Sequence, residues 1–281
     1  MSDLQPNEKF IAYVDILGFK SLVRASEEGQ GLPLSELYEA PSLLGTEVDR
    51  KHFQEYGPTT CPEAPRLQKD MDFIITQASD CVIVSAEISP AGVINLIAHC
   101  WKANIKLLWK GLMCRGYIKQ GKIYHTKDRQ IGSGLNEAVE RERQVEFFKT
   151  DADERGTPFI EIDPEVVAYV KNQPDECVKK MFSRMVKTEG ELTAVFPIQR
   201  LNHSFVIGGM GRSLDREKER YSINAVRGWI DQMKKEVLRH VDPSDSNAVR
   251  RGNLCIRMLD AQRMECDKTE EMLDFLFTPF P

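Results

Sequence analysis

The run FIAYV at residues 10–14 constrains the fold most. Five apolar or aromatic residues stop abruptly at Asp15, and the chain then turns through Gly18 into GFKSLVR. A short apolar run closed by a glycine turn reads as a buried strand, and the segment after it as the start of a helix. A strand that carries a carboxylate at its end and feeds a helix implies a sheet with helices packed on it. With 281 residues, the chain is long enough for one large domain or a domain with a helical extension.

The rest of the sequence extends this α/β reading. Residues 72–77 (DFIITQ) and 81–86 (CVIVSA) are β-branched runs separated by Ala78, Ser79 and Asp80, a spacing that predicts a hairpin with Asp80 at or beside its tip. In residues 92–110, Ile94, Ile97, Trp101, Ile105 and Leu108 recur at helical intervals, which predicts an amphipathic helix over one sheet face. Residues 112–119 and 122–126 read as strands linked by Gln120 and Gly121. The segment IGSGLNEAVERERQVEFF predicts a glycine turn followed by a helix to about Phe148. A strand at 158–162 and a helix at 164–170 complete a core over residues 1–171. Prolines between 29 and 67 mark an insertion in it. Residues 172–281 form a mostly helical extension, with a strand pattern at 192–198 and long helical patterns at 219–240 and 247–266. The charge spread along these two helices suits a pair packed on the core or on a second subunit.

Composition removes several classes of function. Hydrophobic residues make up 41% and charged residues 29%, with a formal net charge of −5, so there is no basic surplus to clamp a nucleic-acid duplex. No apolar run approaches the ~20 residues of a membrane span. The opening MSDLQPNEKF is acidic and polar where a secretory leader is basic and then apolar, so the expected location is the cytoplasm. The seven cysteines contain no CxxC pair and are expected to be free thiols. The five histidines form no HExxH motif.

Two aspartates carry the chemistry. Asp15 ends its strand beside a glycine turn whose N–H groups can face an anion at the start of the next helix. Asp80 lies on a hairpin that would pair with that strand. Carboxylates on neighbouring strands are hard oxygen ligands suited to Mg²⁺ or Mn²⁺, and such ions in turn hold phosphates. A strand-end aspartate is also a common helix cap, so spacing alone leaves both roles open.

Four segments together are similar to the class III nucleotidyl cyclases. FIAYVDILGFKSLV resembles the family's opening motif, with Asp15, Ile16, Gly18 and Phe19 in place. QASDCVIVSA resembles its metal-binding hairpin, which puts the second aspartate at Asp80. RGYIKQGKIYH resembles its third element through Arg115, Gly116 and Gly121, and IGSGLNEAVERE its ribose-binding segment through Gly132 and Asn136. The four occur in the family's order over about residues 8–148. The resemblance implies a palm-like α/β (α+β) core with an antiparallel-rich sheet flanked by helices. It also implies a homodimer with two sites at its interface, and cyclisation of a nucleoside triphosphate with loss of pyrophosphate. Asp15, the Ile16 carbonyl and Asp80 would hold two Mn²⁺ or Mg²⁺ ions per site. Gly18, Phe19, Thr76 and Asn136 would contact substrate, and Asn136, Arg141 and Arg115 would act in catalysis.

The departures narrow the substrate. The lysine that reads a purine is Thr76 here, and its partner position falls near Arg129 or Gln130. A base pocket must match its base, since a buried group left unpaired costs about 1–3 kcal/mol. Adenine and guanine are disfavoured. The arginine expected four residues after Asn136 is Glu140, which leaves Arg141, Arg143 or Arg115 as the transition-state cation. These features look most like the pyrimidine cyclases of the bacterial Pycsar antiviral systems. UTP is the favoured substrate and cyclic UMP the product, acting on a separate effector. The alternatives are a cytidylate cyclase, a purine cyclase, a non-catalytic nucleotide-binding module and an adaptor built on the helical third. A diguanylate cyclase would carry a GGDEF-like hairpin where this chain has ASDCV. Tyr117 and Tyr124 read as packing residues or base-stacking candidates, and Lys122 and His125 as exposed hairpin residues or phosphate contacts. IGGMGR at 207–212 lacks the GK[ST] ending of a phosphate loop.

Overall fold

In the computed structural model, which describes residues 5–45, 71–150, 154–196 and 215–277, the FIAYV run lies inside strand β1 (Asn7–Ile16). β1 pairs antiparallel with β3 (Cys81–Glu87) on one side and with β4 (Cys114–His125) on the other. The sheet is completed by β2 (Phe73–Ala78), β6 (Ile160–Ile162), β7 (Val186–Glu189) and β8 (Leu192–Val195), in the order β2-β3-β1-β4-β6-β8-β7. Only the β4–β6 pairing is parallel among these neighbours. A short strand, β5 (Gln130–Ile131), pairs with the end of β4. The chain is thus mixed α/β, with a mostly antiparallel open sheet.

The alternation of side chains along β1 divides the core in two. Phe10, Ala12, Val14 and Ile16 point to one face, where they meet Val82, Val84 and Ala86 of β3 and Cys114 and Ile118 of β4. That face is covered by α3 (Pro90–Leu108), α5 (Pro164–Lys171) and α6 (Glu176–Met185). Helix α3 begins where Ser89 accepts a hydrogen bond from the Gly92 amide at 3.0 Å and Pro90 presets the first turn. Its buried side includes Val93, Leu96, Cys100, Ala103 and Leu107 beside the expected Ile94, Ile97 and Leu108, whereas Trp101 and Ile105 are only half-buried.

The opposite face carries Ile11, Tyr13 and Asp15. Helix α4 (Ser133–Glu142) packs there through Leu135 and Ala138 against Ile11, Ile83 and Ile123. Farther along the face, Tyr117, Phe147, Phe159, Ala194 and Phe196 lie beneath α7 (Arg216–His240) and α8 (Ser246–Phe277). Ion pairs Arg216–Asp274, Arg227–Asp267 and Lys234–Asp260 run in opposite numbering along α7 and α8, so the two helices are antiparallel. This charged pair packs on its own chain's sheet.

Several expectations change. Gln120 and Gly121 do not turn the chain: β4 runs unbroken through them, and its turn comes at 126–129, where the Thr126 amide donates to the Arg129 carbonyl. Gly121 serves close approach instead, since a Cβ there would lie 2.8 Å from the Gly134 Cα. The helix expected to reach Phe148 stops at Glu142. The sheet continues through β7 and β8, past residue 171. Cys177 is disulfide-bonded, against the expectation of free thiols, because spacing along the chain does not reveal which thiols meet in space. Residues 46–67 of the insertion and the IGGMGR segment lie outside the described residues. The 34–44 part of the insertion forms α2 (Leu34–Glu39) and a 3₁₀ turn, Ala40–Leu44.

Candidate functional site

Strand register assembles the site. β1 ends, β3 begins and β4 begins at one edge of the sheet, so Asp15 stands between Cys81 and Arg115 on the same face. Ala78 pairs with Cys81, leaving Ser79 and Asp80 as a two-residue turn, and Ser79 supplies the positive φ of 56° that such a turn needs. Asp80 is therefore at the hairpin tip, as expected. The Ile16 amide donates to the Asp80 carbonyl at 3.0 Å, which fixes the tip beside the end of β1. The Leu17 amide donates to the Met113 carbonyl at 2.9 Å on the other side. Gly18, with φ 72°, then reverses the chain into helix α1 (Phe19–Glu27), whose first turn has neither a side-chain cap nor an acidic residue. Phe19 packs against the core beneath this turn.

The electrostatics follow from this crowding. Burial pushes Asp15 up to about 7, and the neighbouring charges of Asp80 and Glu142 add to the shift, against smaller opposing effects of Arg115 and the Ile16 amide. Arg115 offsets little because it is committed elsewhere: its guanidinium is ion-paired with buried Glu142, and Nη1 reaches the Gly156 carbonyl at 3.4 Å. Asp80 is thus close enough to act on Asp15, while Arg115, the cation that acts on Asp15, is already paired with Glu142. Such a place suits a divalent ion. Among the described residues there is no group of three or more metal-ligating side chains. The donors at hand are two carboxylates and the Ile16 carbonyl, and the remaining positions would fall to water and phosphate oxygens, as Mg²⁺ and Mn²⁺ favour.

The other expected residues are placed differently. Asn136 is exposed on α4, and its amide donates to the Gly132 carbonyl at 3.2 Å. Arg141, also exposed, lies over the Tyr117 ring at 5.5 Å, and Tyr117 donates to Asp163 Oδ2 at 2.9 Å. Of the arginine candidates, Arg115 is the one at the carboxylates. Thr76 is engaged within the chain: its hydroxyl is 3.3 Å from the Thr126 and Lys127 carbonyls and 3.0 Å from His125 Nε2. His125 is buried rather than exposed, with Nδ1 at 2.8 Å from Ser85 Oγ, and burial lowers it to about 4, leaving it neutral at pH 7. Tyr117 is a packing residue, buried in the second core.

Two residues that sequence reasoning did not single out belong to this region. Glu142 is one of many charges in NEAVERERQ, and only its burial distinguishes it. Arg251 comes from α8 and is close enough to Arg115 and Glu142 to be influenced by both. In the sequence it is one of several charges along a helical pattern, and nothing there separates it from the others. No protein-family model matches the chain, and no curated protein matches it.

Proposed function

We propose that this protein is a nucleotidyl cyclase of the class III type, converting UTP to 3′,5′-cyclic UMP and pyrophosphate. The observation that carries the reading is the convergence of Asp15 and Asp80 beside an uncapped helix start, with Arg115 withdrawn into an ion pair with Glu142. Asp15, the Ile16 carbonyl and Asp80 would hold Mg²⁺ or Mn²⁺, two ions per site. Such ions acidify the ribose 3′-hydroxyl and neutralise the phosphates. The free amides at the start of α1 face the polyphosphate, which favours a helix N-terminus. The 3′-oxygen bonds to the α-phosphorus and its proton passes to water. The bond from phosphorus to the bridging oxygen breaks, and pyrophosphate leaves with that electron pair. Positioning and charge neutralisation supply the rate, so no covalent protein intermediate is needed.

The reading includes a homodimer in which Asn136 and Arg141 of one copy act at the carboxylates of the other. Their exposure on α4 supports that arrangement. Thr76 in place of a purine-reading lysine supports a pyrimidine, and the product would signal to a separate effector in antiviral defence. Incubation with ATP, GTP, CTP and UTP in turn, each with Mn²⁺, followed by mass identification of products, tests the reading. Cyclic UMP is the expected product. Cyclic CMP or a purine product would correct the base, and the absence of any cyclic product would overturn the reading.

A further inference from the structure

A cavity of about 410 Å³ opens directly beside the Gly18 turn. One wall is Leu17 and Gly18, which follow the end of β1 that carries Asp15, and Met113, which precedes β4. The other comes from the helical pair: Arg239, Asp245 and Arg251 border it at the α7–α8 connection.

Arg251 is the residue to account for. Its Nε is buried without a hydrogen-bond partner. The carboxylates around it each have another partner. Glu142 holds Arg115, Glu154 lies 3.5 Å from Arg250, and Asp245 accepts the Asn247 and Ala248 amides at 2.9 and 3.2 Å as the cap of α8. The fourth, Asp242, accepts from the Ser244 amide and hydroxyl at 2.8 and 2.7 Å. Burial is the main influence lowering the Arg251 guanidinium pKa, and the charges of Arg115 and Arg250 add to it, against smaller opposing effects of Asp245 and Glu142. A partly desolvated guanidinium with an unpartnered Nε, beside two other cations, attracts a further anion, and a forked donor matches phosphate oxygens best.

The geometry points to Arg251 as a polyphosphate-binding residue, brought by the C-terminal helical pair to the cavity at the Gly18 turn. Its ligand is the terminal phosphates of the substrate and then the departing pyrophosphate. This rests on the nucleotide-cyclase reading above and adds the part of the site that binds the leaving group. As the bond to the bridging oxygen breaks, negative charge grows on pyrophosphate, and Arg251 is placed to neutralise it. The helical extension is then part of the site.

The probe is inorganic tripolyphosphate with Mn²⁺, titrated calorimetrically into the full chain. The wild-type chain should bind it. Arg251→Ala should weaken binding about tenfold or more, the loss of a charged hydrogen bond, and Arg251→Lys by less. Arg263→Ala, a half-buried arginine on the same helix paired with Asp231, should leave it unchanged. Modification of the wild-type chain by phenylglyoxal, mapped by peptide mass, gives a readout that does not depend on a variant folding: tripolyphosphate should shield Arg251. Equal binding by wild type and Arg251→Ala, or modification of Arg251 unaffected by saturating tripolyphosphate, would overturn the inference. Binding through Arg251 with no nucleotide cyclised would keep the anion site and remove the cyclase. Cyclisation by Arg251→Ala with wild-type kcat and KM would keep the cyclase and remove the role of Arg251.

Discussion

The Ile16 amide donates to the Asp80 carbonyl at 3.0 Å, and through that single bond the end of β1 and the tip of the β2–β3 hairpin become one unit. Asp15 and Asp80 are 65 positions apart in the chain, yet each raises the local negative potential felt by the other. The carboxylates are close because the backbone is tied, not because their side chains attract.

Removing either carboxylate should therefore abolish chemistry without unfolding the protein. Asp15→Ala and Asp80→Ala are expected to lose at least about 10³-fold in cyclic-nucleotide formation, as for loss of a principal electrostatic element. The thermal midpoint of each should stay at or above that of the wild type. Mass-detected product and a melting curve on the same preparations decide it.

Asp15 makes the metal-free fold sensitive to pH. It titrates near 7 when folded and near 3.8 when free, so the folded chain binds more protons in between, and its contribution to stability falls as pH rises through that window. Asp15→Asn should be more stable than wild type at pH 8 by about 1–2 kcal/mol after solvent screening, with the difference vanishing near pH 4. Mn²⁺ competes with the same proton. It should raise the wild-type midpoint more at pH 8 than at pH 6 and leave Asp15→Asn nearly unmoved in thermal-shift measurements.

Glu142→Gln is expected to lower the pH at which Mn²⁺ stabilisation reaches half its maximum. The substitution removes a charge that raises Asp15 and frees Arg115, which opposes the shift. Mn²⁺ titrations monitored by melting between pH 5 and 8 would show the displacement.

His125 acts in the opposite sense. Buried between Ser85 and Thr76, it titrates near 4 folded and near 6.5 free, so the unfolded chain binds more protons in between and stability is lost as pH falls. The loss attributable to this residue should approach about 3 kcal/mol by pH 4. Urea denaturation of wild type and His125→Gln at pH 7.5 and 4.5 isolates it: the stability gap between them should narrow in acid.

Gly121→Val should push α4 away from the sheet. Any Cβ there meets the Gly134 backbone at 2.8 Å, and backbone cannot rotate aside as a side chain can. A cost of about 1–3 kcal/mol is expected, read by urea denaturation, with activity falling further because Asn136 and Arg141 ride on that helix.

What the sequence determined by itself is local. The FIAYV run, its stop at Asp15 and the glycine turn specify strand, turn and helix within a dozen residues, and Ala78 to Cys81 specify a tight hairpin with Asp80 at its tip. The two long charged periodicities likewise appear as α7 and α8. Tertiary structure decided everything that depends on what lies across the sheet. Gly121 reads as a turn residue in isolation, but it sits mid-strand, where Gly134 lies too close for a side chain. Glu142 and Arg251 are ordinary surface charges in a helical pattern. Only the packing of α4 and α8 over one face buries the first against Arg115 and leaves the Nε of the second buried without a hydrogen-bond partner. Hydrophobic spacing encodes which side of a helix turns inward, whereas the choice of partner for a buried charge arises from strand register and from elements that meet only once the sheet has formed.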